Sequence, residues 1–247
     1  MENPINAVAL HTNAEQLMQL VRAEAFPDYY PKTEGAELIL RDLLAALGAH
    51  TTGNDFMAYL PELRRLLSTD VQAAMHNDPA VTDEAEVILC YPFVTALLYH
   101  RVAHFLLKQG VPLLPRMISE MAHSATGIDI HPAASIGEYF CIDHGTGVVI
   151  GETAIIGNHV MLYQGVTLGA RNFTYDKNGH PLDLPRHPIL EDNVTVYSNA
   201  SILGRVTIGH DSVVGGNVWL THDVPPFSRV LQQKAIQAPS FSFAEGI

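Results

Sequence analysis

The chain has 247 residues, enough for two modest domains with a real core, and its 47% hydrophobic content excludes a disordered chain. A formal net charge of −12 argues against general nucleic-acid or anionic-membrane binding. Only two cysteines are present, Cys90 and Cys141, which points to a reducing compartment rather than a disulfide framework. Met1 to Leu10 has no basic segment followed by an apolar core, so no secretory signal is expected. The most apolar run, Val87 to Tyr99, is too short to span a bilayer and is broken by Pro92. The expectation is a soluble cytoplasmic protein.

Residues 1 to 126 read as helical. Leu40, Leu43, Leu44 and Leu47 share one helical face, and Gly48 follows as a stop. Asp83 with Glu86 resembles a helix-start pair, and Pro92 ends or kinks that segment. Val94, Leu97, Leu98, Arg101 and Phe105 continue a helical face toward Gly110 and Pro112. His100 and His104 lie at i, i+4 on that face without an evident third ligand, which favours packing over metal binding.

From Ile130 the period changes to six. Ile130, Ile136 and Ile142 are followed by a two-residue slip, then by Ile150, Ile156, Leu162 and Leu168. After an interruption the count resumes at Leu190, Val196, Ile202, Ile208, Val214 and Leu220. Four residues after these markers come second inward positions, among them Ala134, Phe140, Thr146, Val160, Ala200 and Val224. A six-residue period fits neither a helix nor a hairpin sheet; it is the signature of a parallel β-helix, each hexad supplying one short strand and one corner. Gly137, Gly151, Gly157, Gly209 and Gly215 directly follow markers, where tolerance of unusual backbone angles suits a tight corner. The solenoid is expected over 127–226, ending at Pro225-Pro226, with a tail over 227–247. The helical domain before it serves to cap the open first coil. Residues 171 to 186 read as a polar loop thrown out from one corner, where function is the expected reason for its existence.

Two Asp/His clusters, Asp129-Ile130-His131 and Asp143-His144-Gly145, lie about fourteen residues apart, on neighbouring corners or adjacent coils, and Arg186-His187 closes the extruded loop. An Asp beside a His can fix its tautomer and stabilise an imidazolium, as acyl transfer to a hydroxyl requires. An Arg at a loop base can grip a carboxylate. Taken singly, each has a plain alternative: a corner Asp accepting backbone hydrogen bonds, a packed His, a solvated Arg. Cys141, beside the cluster, reads as a small wall residue.

Asp78-Pro79-Ala80, Asp129 to Ala134, Asp143-His144-Gly145-Thr146-Gly147, Gly151-Glu152-Thr153-Ala154, Gln164 to Gly169 and Arg186-His187-Pro188, in that order, resemble the serine O-acetyltransferase family over most of residues 75 to 226. The resemblance implies an α+β chain in which an N-terminal α-helical bundle precedes a left-handed parallel β-helix of hexapeptide repeats. It implies acetyl transfer from acetyl-CoA to L-serine, giving O-acetylserine by direct attack on the thioester, with no metal. Residue by residue, His144 matches the general base and Asp129 the carboxylate that orients it. Asp78 and Asp143 match the acidic pair around the serine amino group, and Arg186 and His187 the loop residues at its carboxylate. Gly169, Ala170 and Ala200 fall near the CoA arm. Further implications are a homo-oligomer (a trimer or a dimer of trimers) with sites between neighbouring β-helices, feedback inhibition by L-cysteine, and docking of O-acetylserine sulfhydrylase on the terminal Ile247. Ala170 stands where the family often has a second glycine, and the loop 171–186 is longer than usual. Another O-acetyltransferase, a zinc carbonic anhydrase on the same scaffold and a non-catalytic assembly partner are the competing readings.

Overall fold

Each of the thirteen markers is the second residue of a short strand. The computed structural model describes residues 7–233, so Ile247 lies outside the described residues. The strands are β1 (Asp129–Ile130), β2 (Ser135–Ile136), β3 (Cys141–Ile142), β4 (Val149–Ile150), β5 (Ile155–Ile156), β6 (Met161–Leu162), β7 (Thr167–Gly169), β8 (Ile189–Leu190), β9 (Thr195–Val196), β10 (Ser201–Leu203), β11 (Thr207–Ile208), β12 (Val213–Val214), β13 (Trp219–Leu220) and β14 (Arg229–Val230). They stack into three all-parallel sheets: a first of order β1-β4-β7-β10-β13, a second of order β11-β8-β5-β2, and a third of order β14-β12-β9-β6-β3. The chain visits the sheets in rotation, and the result is a left-handed parallel β-helix.

The core is the column of markers with the residue two positions before each. Ile128, Ala134, Phe140, Val148, Ala154, Val160, Val166, Val194 and Ala200 are all buried there. Thr146, expected to point inward, is exposed, and Val148 takes the inward place. The two-residue slip lies between Ile142 and Val148, so it shifts the inward position along with the strand.

The corner glycines serve a different purpose from the expected one. None of Gly137, Gly151, Gly157, Gly209 and Gly215 has a positive φ. What they lack is room: a Cβ would stand 2.6 Å from Gly157 O at Gly137, 2.4 Å from Asp192 Oδ1 at Gly157, and 2.3 Å from Pro226 N at Gly209. Two corners of the prism do turn through left-handed backbone, but other residues supply it. Tyr139, His159, Asn193, Asp211 and Phe227 do so before the third sheet, and Gly127, Gly147, Gly165, Asn199 and Asn217 before the first. At the corner between the first and second sheets Gly204 is left-handed in the coil of β10 and β11, and the long loop leaves the prism at this corner one coil earlier.

The solenoid also runs further than expected. Val224 bridges Ile208 and Arg229–Val230 pairs with Val213–Val214, so pairing continues past Pro225-Pro226. Both prolines lie in the turn between β13 and β14 rather than in a ladder, so their missing amide hydrogens break no pairing.

Among the described residues six helices precede the prism: α1 (Ala7–Ala25), α2 (Ala36–Ala46), α3 (Gly53–Asn77), α4 (Glu84–Cys90), α5 (Pro92–Lys108) and α6 (Leu114–Thr126). Gly48 stops α2 at φ 86, and Asp83 caps α4 by accepting from Glu86 N. Pro92 opens α5 at its first position, after a 69° bend from α4. No single described helix is long and apolar enough to cross a membrane.

The helices cap the first coil bond by bond. Ser119 donates to Ile130 O at 2.9 Å, Arg101 donates to Gly137 O at 2.9 Å, and His104 Nδ1 lies 2.8 Å from Pro132 O. Thr69 Oγ1 and Asp70 Oδ1 accept from Tyr139 N and Phe140 N. Backbone groups that a bare solenoid end would leave open are thus satisfied by side chains of α3, α5 and α6. At the centre, buried Asp70 and Arg101 form a two-pronged ion pair at 2.8 Å.

Candidate active site

The predicted site residues gather at two corners of the prism. The first group sits where the chain turns from β3 to β4. His144, with φ 56, occupies left-handed backbone created by the two-residue slip, and its side chain is 71% exposed. Its Nε2 lies 3.7 Å from Asp143 Oδ2. Asp78, the C-cap of α3, approaches from the helical domain. Tyr91 donates to Asp78 Oδ2 at 2.6 Å and Ala80 N to Oδ1 at 2.8 Å. The Tyr91 hydroxyl, with help from the Ala80 amide and the nearby His144, holds the Asp78 carboxyl below the usual carboxylate range. The same bond pushes the Tyr91 phenol up to about 12. This corner is therefore an exposed imidazole among two carboxylates, able to take a proton from a bound hydroxyl and to hold a cationic group.

Cys141 stands beside it but is buried, and burial, reinforced by Asp143, Asp70 and Asp78, pushes its thiol up to about 12. A buried thiol held protonated is not a nucleophile. It walls the corner, as the sequence suggests.

The second group sits at the corner between the first and second sheets, where the extruded loop returns. The Gly151-Glu152-Thr153 segment is its cradle. Thr153 Oγ1 accepts from the backbone N–H of Arg186 at 2.8 Å and of His187 at 3.0 Å. His187 Nδ1 accepts from Thr153 N at 3.1 Å and lies 2.9 Å from Thr153 Oγ1. With its lone pairs engaged by two amides, the hydroxyl directs its own hydrogen at Nδ1, which leaves the ring proton on Nε2. Burial, with the Arg186 charge beside it, lowers the His187 imidazole to about 4, so the ring is a neutral Nε2–H donor at pH 7. Gly151 leaves the space that the ring fills. Glu152 pairs with the Arg186 guanidinium, and Asp183 stands 3.6 Å away on its other side. Arg205 ties the corner together by donating to Thr153 O at 2.6 Å and His187 O at 3.1 Å. A substrate carboxylate reaching Arg186 must therefore displace Glu152.

Two predicted residues stand apart from these groups. Asp129, on β1, makes no hydrogen bond or ion pair with His144, whose ion-pair partner is Asp143. The Asp129 carboxylate lies instead with Glu120 and His123 of α6, their ligand atoms within 4.8 Å of one another. That trio could hold a cation, but Glu120 is already paired with Arg116 at 2.5 Å and His123 at 3.5 Å. Ala200 is fully buried, its N–H bonded to Tyr197 O and its carbonyl to Thr167 N, which leaves nothing to offer a ligand. Gly169 and Ala170 remain half-buried at the foot of the loop. Sequence reasoning missed Tyr91, Thr153 and Arg205. Only the Gly-Glu-Thr run pointed toward the cradle, and its role shows once Arg186 is folded back onto it.

Comparison with known proteins bears on both corners. Residues 187–222 match the family model described as bacterial transferase hexapeptide (six repeats). The chain is 51% identical over 193 residues to the plasmid serine acetyltransferase of Synechococcus elongatus, a match covering 78% of this chain and 60% of that protein. It therefore spans about three-fifths of that relative's length. It is 43% identical over 167 residues to the serine acetyltransferase of Bacillus subtilis, covering 68% of this chain and 73% of that one. Among solved structures, serine acetyltransferase 1 of Entamoeba histolytica in complex with L-cysteine superposes with a TM-score of 0.78 at 34% identity, over 90% of this chain and 97% of that one.

Proposed function

The chain belongs to the serine acetyltransferase family, and from that premise we propose that it transfers the acetyl group of acetyl-CoA to the hydroxyl of L-serine, giving O-acetylserine and CoA. The observation that carries the reading is the corner where exposed His144 meets Asp143 and Tyr91-anchored Asp78. His144 takes the hydroxyl proton as the serine oxygen attacks the thioester carbonyl. The tetrahedral intermediate collapses, the C–S bond breaks, and the imidazolium returns the proton to the CoA sulfur. Asp78 and Asp143 receive the serine ammonium, and Arg186 with the His187 Nε2–H donor receives its carboxylate. The protonated, buried Cys141 thiol supports direct transfer over an acyl-cysteine route.

The two groups occupy different corners of one prism, with the first sheet between them. This supports a homo-oligomer, a trimer or a dimer of trimers, in which the His144 corner of one copy faces the Arg186 corner of the next. Asp129, on that intervening sheet, is assigned the role of orienting the base within the assembled site. L-cysteine, with which the Entamoeba histolytica protein forms its complex, fits the same zwitterion-binding groups and is the proposed feedback inhibitor. The C-terminal Ile247 is the proposed contact for O-acetylserine sulfhydrylase.

The test is CoA release from acetyl-CoA with serine, threonine, homoserine and a galactoside compared side by side. Serine is expected to dominate, and His144→Ala to lower turnover by roughly 10²- to 10⁴-fold with the fold intact. A different preferred alcohol, or a His144→Ala protein of undiminished activity, would refute the assignment.

A further inference from the structure

At the corner between the second and third sheets each coil contributes a left-handed residue: Tyr139 (φ 54), His159 (φ 56), Asn193 (φ 60), Asp211 (φ 56) and Phe227 (φ 59). Their amides bond from coil to coil, His159 N to Glu138 O at 3.0 Å and Asn193 N to Asn158 O at 2.9 Å, so the five positions form one column. Successive rungs of such a column stand about 4.8 Å apart. Tyr139 and His159 use that spacing to stack, with ring centroids 4.4 Å apart and ring planes 9° apart. The stack stops there. Asn193 has no ring, and its Nδ2 donates to Asp211 Oδ1 in the following coil at 3.1 Å. Among the described residues no ring covers the face of His159 turned away from Tyr139, and His159 and Asn193 are both exposed. The column thus holds a slot one rung high beside an imidazole face.

The slot belongs to a cavity of about 550 Å³, walled on its other side by Gln72, His76 and Asn77 of α3. No Asp, Glu, Lys or Arg lines this cavity, so nothing in it selects an ion. The side chains of His76, Asn77 and His159 make no hydrogen bond or ion pair, while Gln72 and Asn193 each commit only the amide nitrogen. A flat imidazole face ringed by unspent neutral donors and acceptors suits a planar heterocycle, one face on the ring and its polar edge among the amides. The helix carries the consequence to the active corner. Thr69 and Asp70 accept from Tyr139 N and Phe140 N at the outer corner, and Asp78, next after Asn77, stands near His144. We propose that this cavity is a regulatory site for a neutral planar heteroaromatic molecule of the nucleobase class, which seats its ring on His159 and, by holding the last turn of α3, holds Asp78 in place for the substrate. The regulatory effect rests on the proposed role of Asp78 at the serine ammonium; the binding site does not.

The test uses the full-length protein, with adenine as the probe, titrated calorimetrically under saturating CoA. The CoA blocks any place that the adenine of the proposed acyl donor would take, so the binding measured is independent of that donor. His159→Asn tolerates the same left-handed backbone and removes the ring; it should weaken adenine by roughly ten-fold, the scale of one stacked base. Asn193→His supplies the missing ring from the chain itself and should abolish binding. Adenosine and adenosine 5′-monophosphate should bind alike, because no basic side chain waits for the phosphate. In turnover, adenine should lower the serine KM of the wild-type chain several-fold by ordering the end of α3, and should leave that of Asn193→His unchanged. Absence of adenine binding under CoA, equal binding by His159→Asn, undiminished binding by Asn193→His, tighter binding of the monophosphate, or a serine KM unmoved or raised by adenine would each overturn the proposal. A wild-type chain that binds adenine with these variant effects but acetylates no alcohol would refute the proposed activity, and the regulatory effect with it, while leaving the binding site standing.

Discussion

Replacing Gly151 by alanine adds one methyl group at the base of the Arg186–His187 corner. The new Cβ would stand 2.0 Å from His187 Cδ2 and 2.2 Å from Nε2. The imidazole must retreat by roughly 1.5 Å to restore ordinary contact. It cannot do so freely, because Thr153 holds Nδ1 through its amide and its hydroxyl. Two hydrogen bonds at about 1 kcal/mol each, plus the strain of local overpacking, put the cost at about 3 kcal/mol. The functional cost should be larger in proportion, since a misplacement of about 1 Å at a positioning group costs on the order of 10²-fold in rate. We expect kcat/KM for serine to fall by about that factor, while KM for acetyl-CoA changes little. The decisive assay is a double-mutant cycle. Once His187→Ala has removed the ring, adding Gly151→Ala should cost almost nothing further. A Gly151→Ala penalty of equal size on both backgrounds would show that the imidazole is not what the glycine accommodates.

Three further outcomes follow from the same geometry. Asp70→Asn should destabilise the chain by about 3–5 kcal/mol, because Arg101 is left buried with half of its partner gone; urea unfolding measures this, and replacing both residues with apolar ones should recover much of it. Tyr91→Phe removes the 2.6 Å bond to Asp78 and should raise the serine KM by roughly ten-fold, with an unchanged KM counting against Asp78 as a substrate contact. For His187 the folded imidazole titrates at about 4 against the ordinary 6.5. The unfolded chain therefore takes the proton first as acid is added. The contribution is intact above pH 6.5 and is lost as pH falls toward 4, by at most about 3 kcal/mol. His187→Gln should flatten that acid limb of the stability profile, and an identical limb in both proteins would exclude His187 as its source.

The prism was legible because its signal is carried by side chains that point inward, at a spacing no other fold uses. Ile130 through Leu220 each need a large aliphatic group, so the period is written in the residues themselves. What stayed hidden depends on neighbours distant in sequence. Gly157 looks like a flexible corner, yet its constraint is Asp192 in the next coil. Val148 and Thr146 could be told apart only once the slip between Ile142 and Ile150 had been placed. Pro225-Pro226 resembled a terminus because prolines are barred from ladders, whereas here they occupy a turn between rungs. The site was half legible: His144, Asp143 and Asp78 converge, while Asp129 faces α6 and Ala200 is sealed in the core. Residue type and order identify such a group; they do not say which way a carboxylate on a strand will lean.

The long loop leaves the prism between the first and second sheets, and β7 and β8 continue the stack on either side of it without a break in register. Spool and appendage are thus mechanically uncoupled there. The appendage can be lengthened, shortened or exchanged without rewinding the spool, so changes in which molecules are gripped need not be limited by what keeps the chain folded.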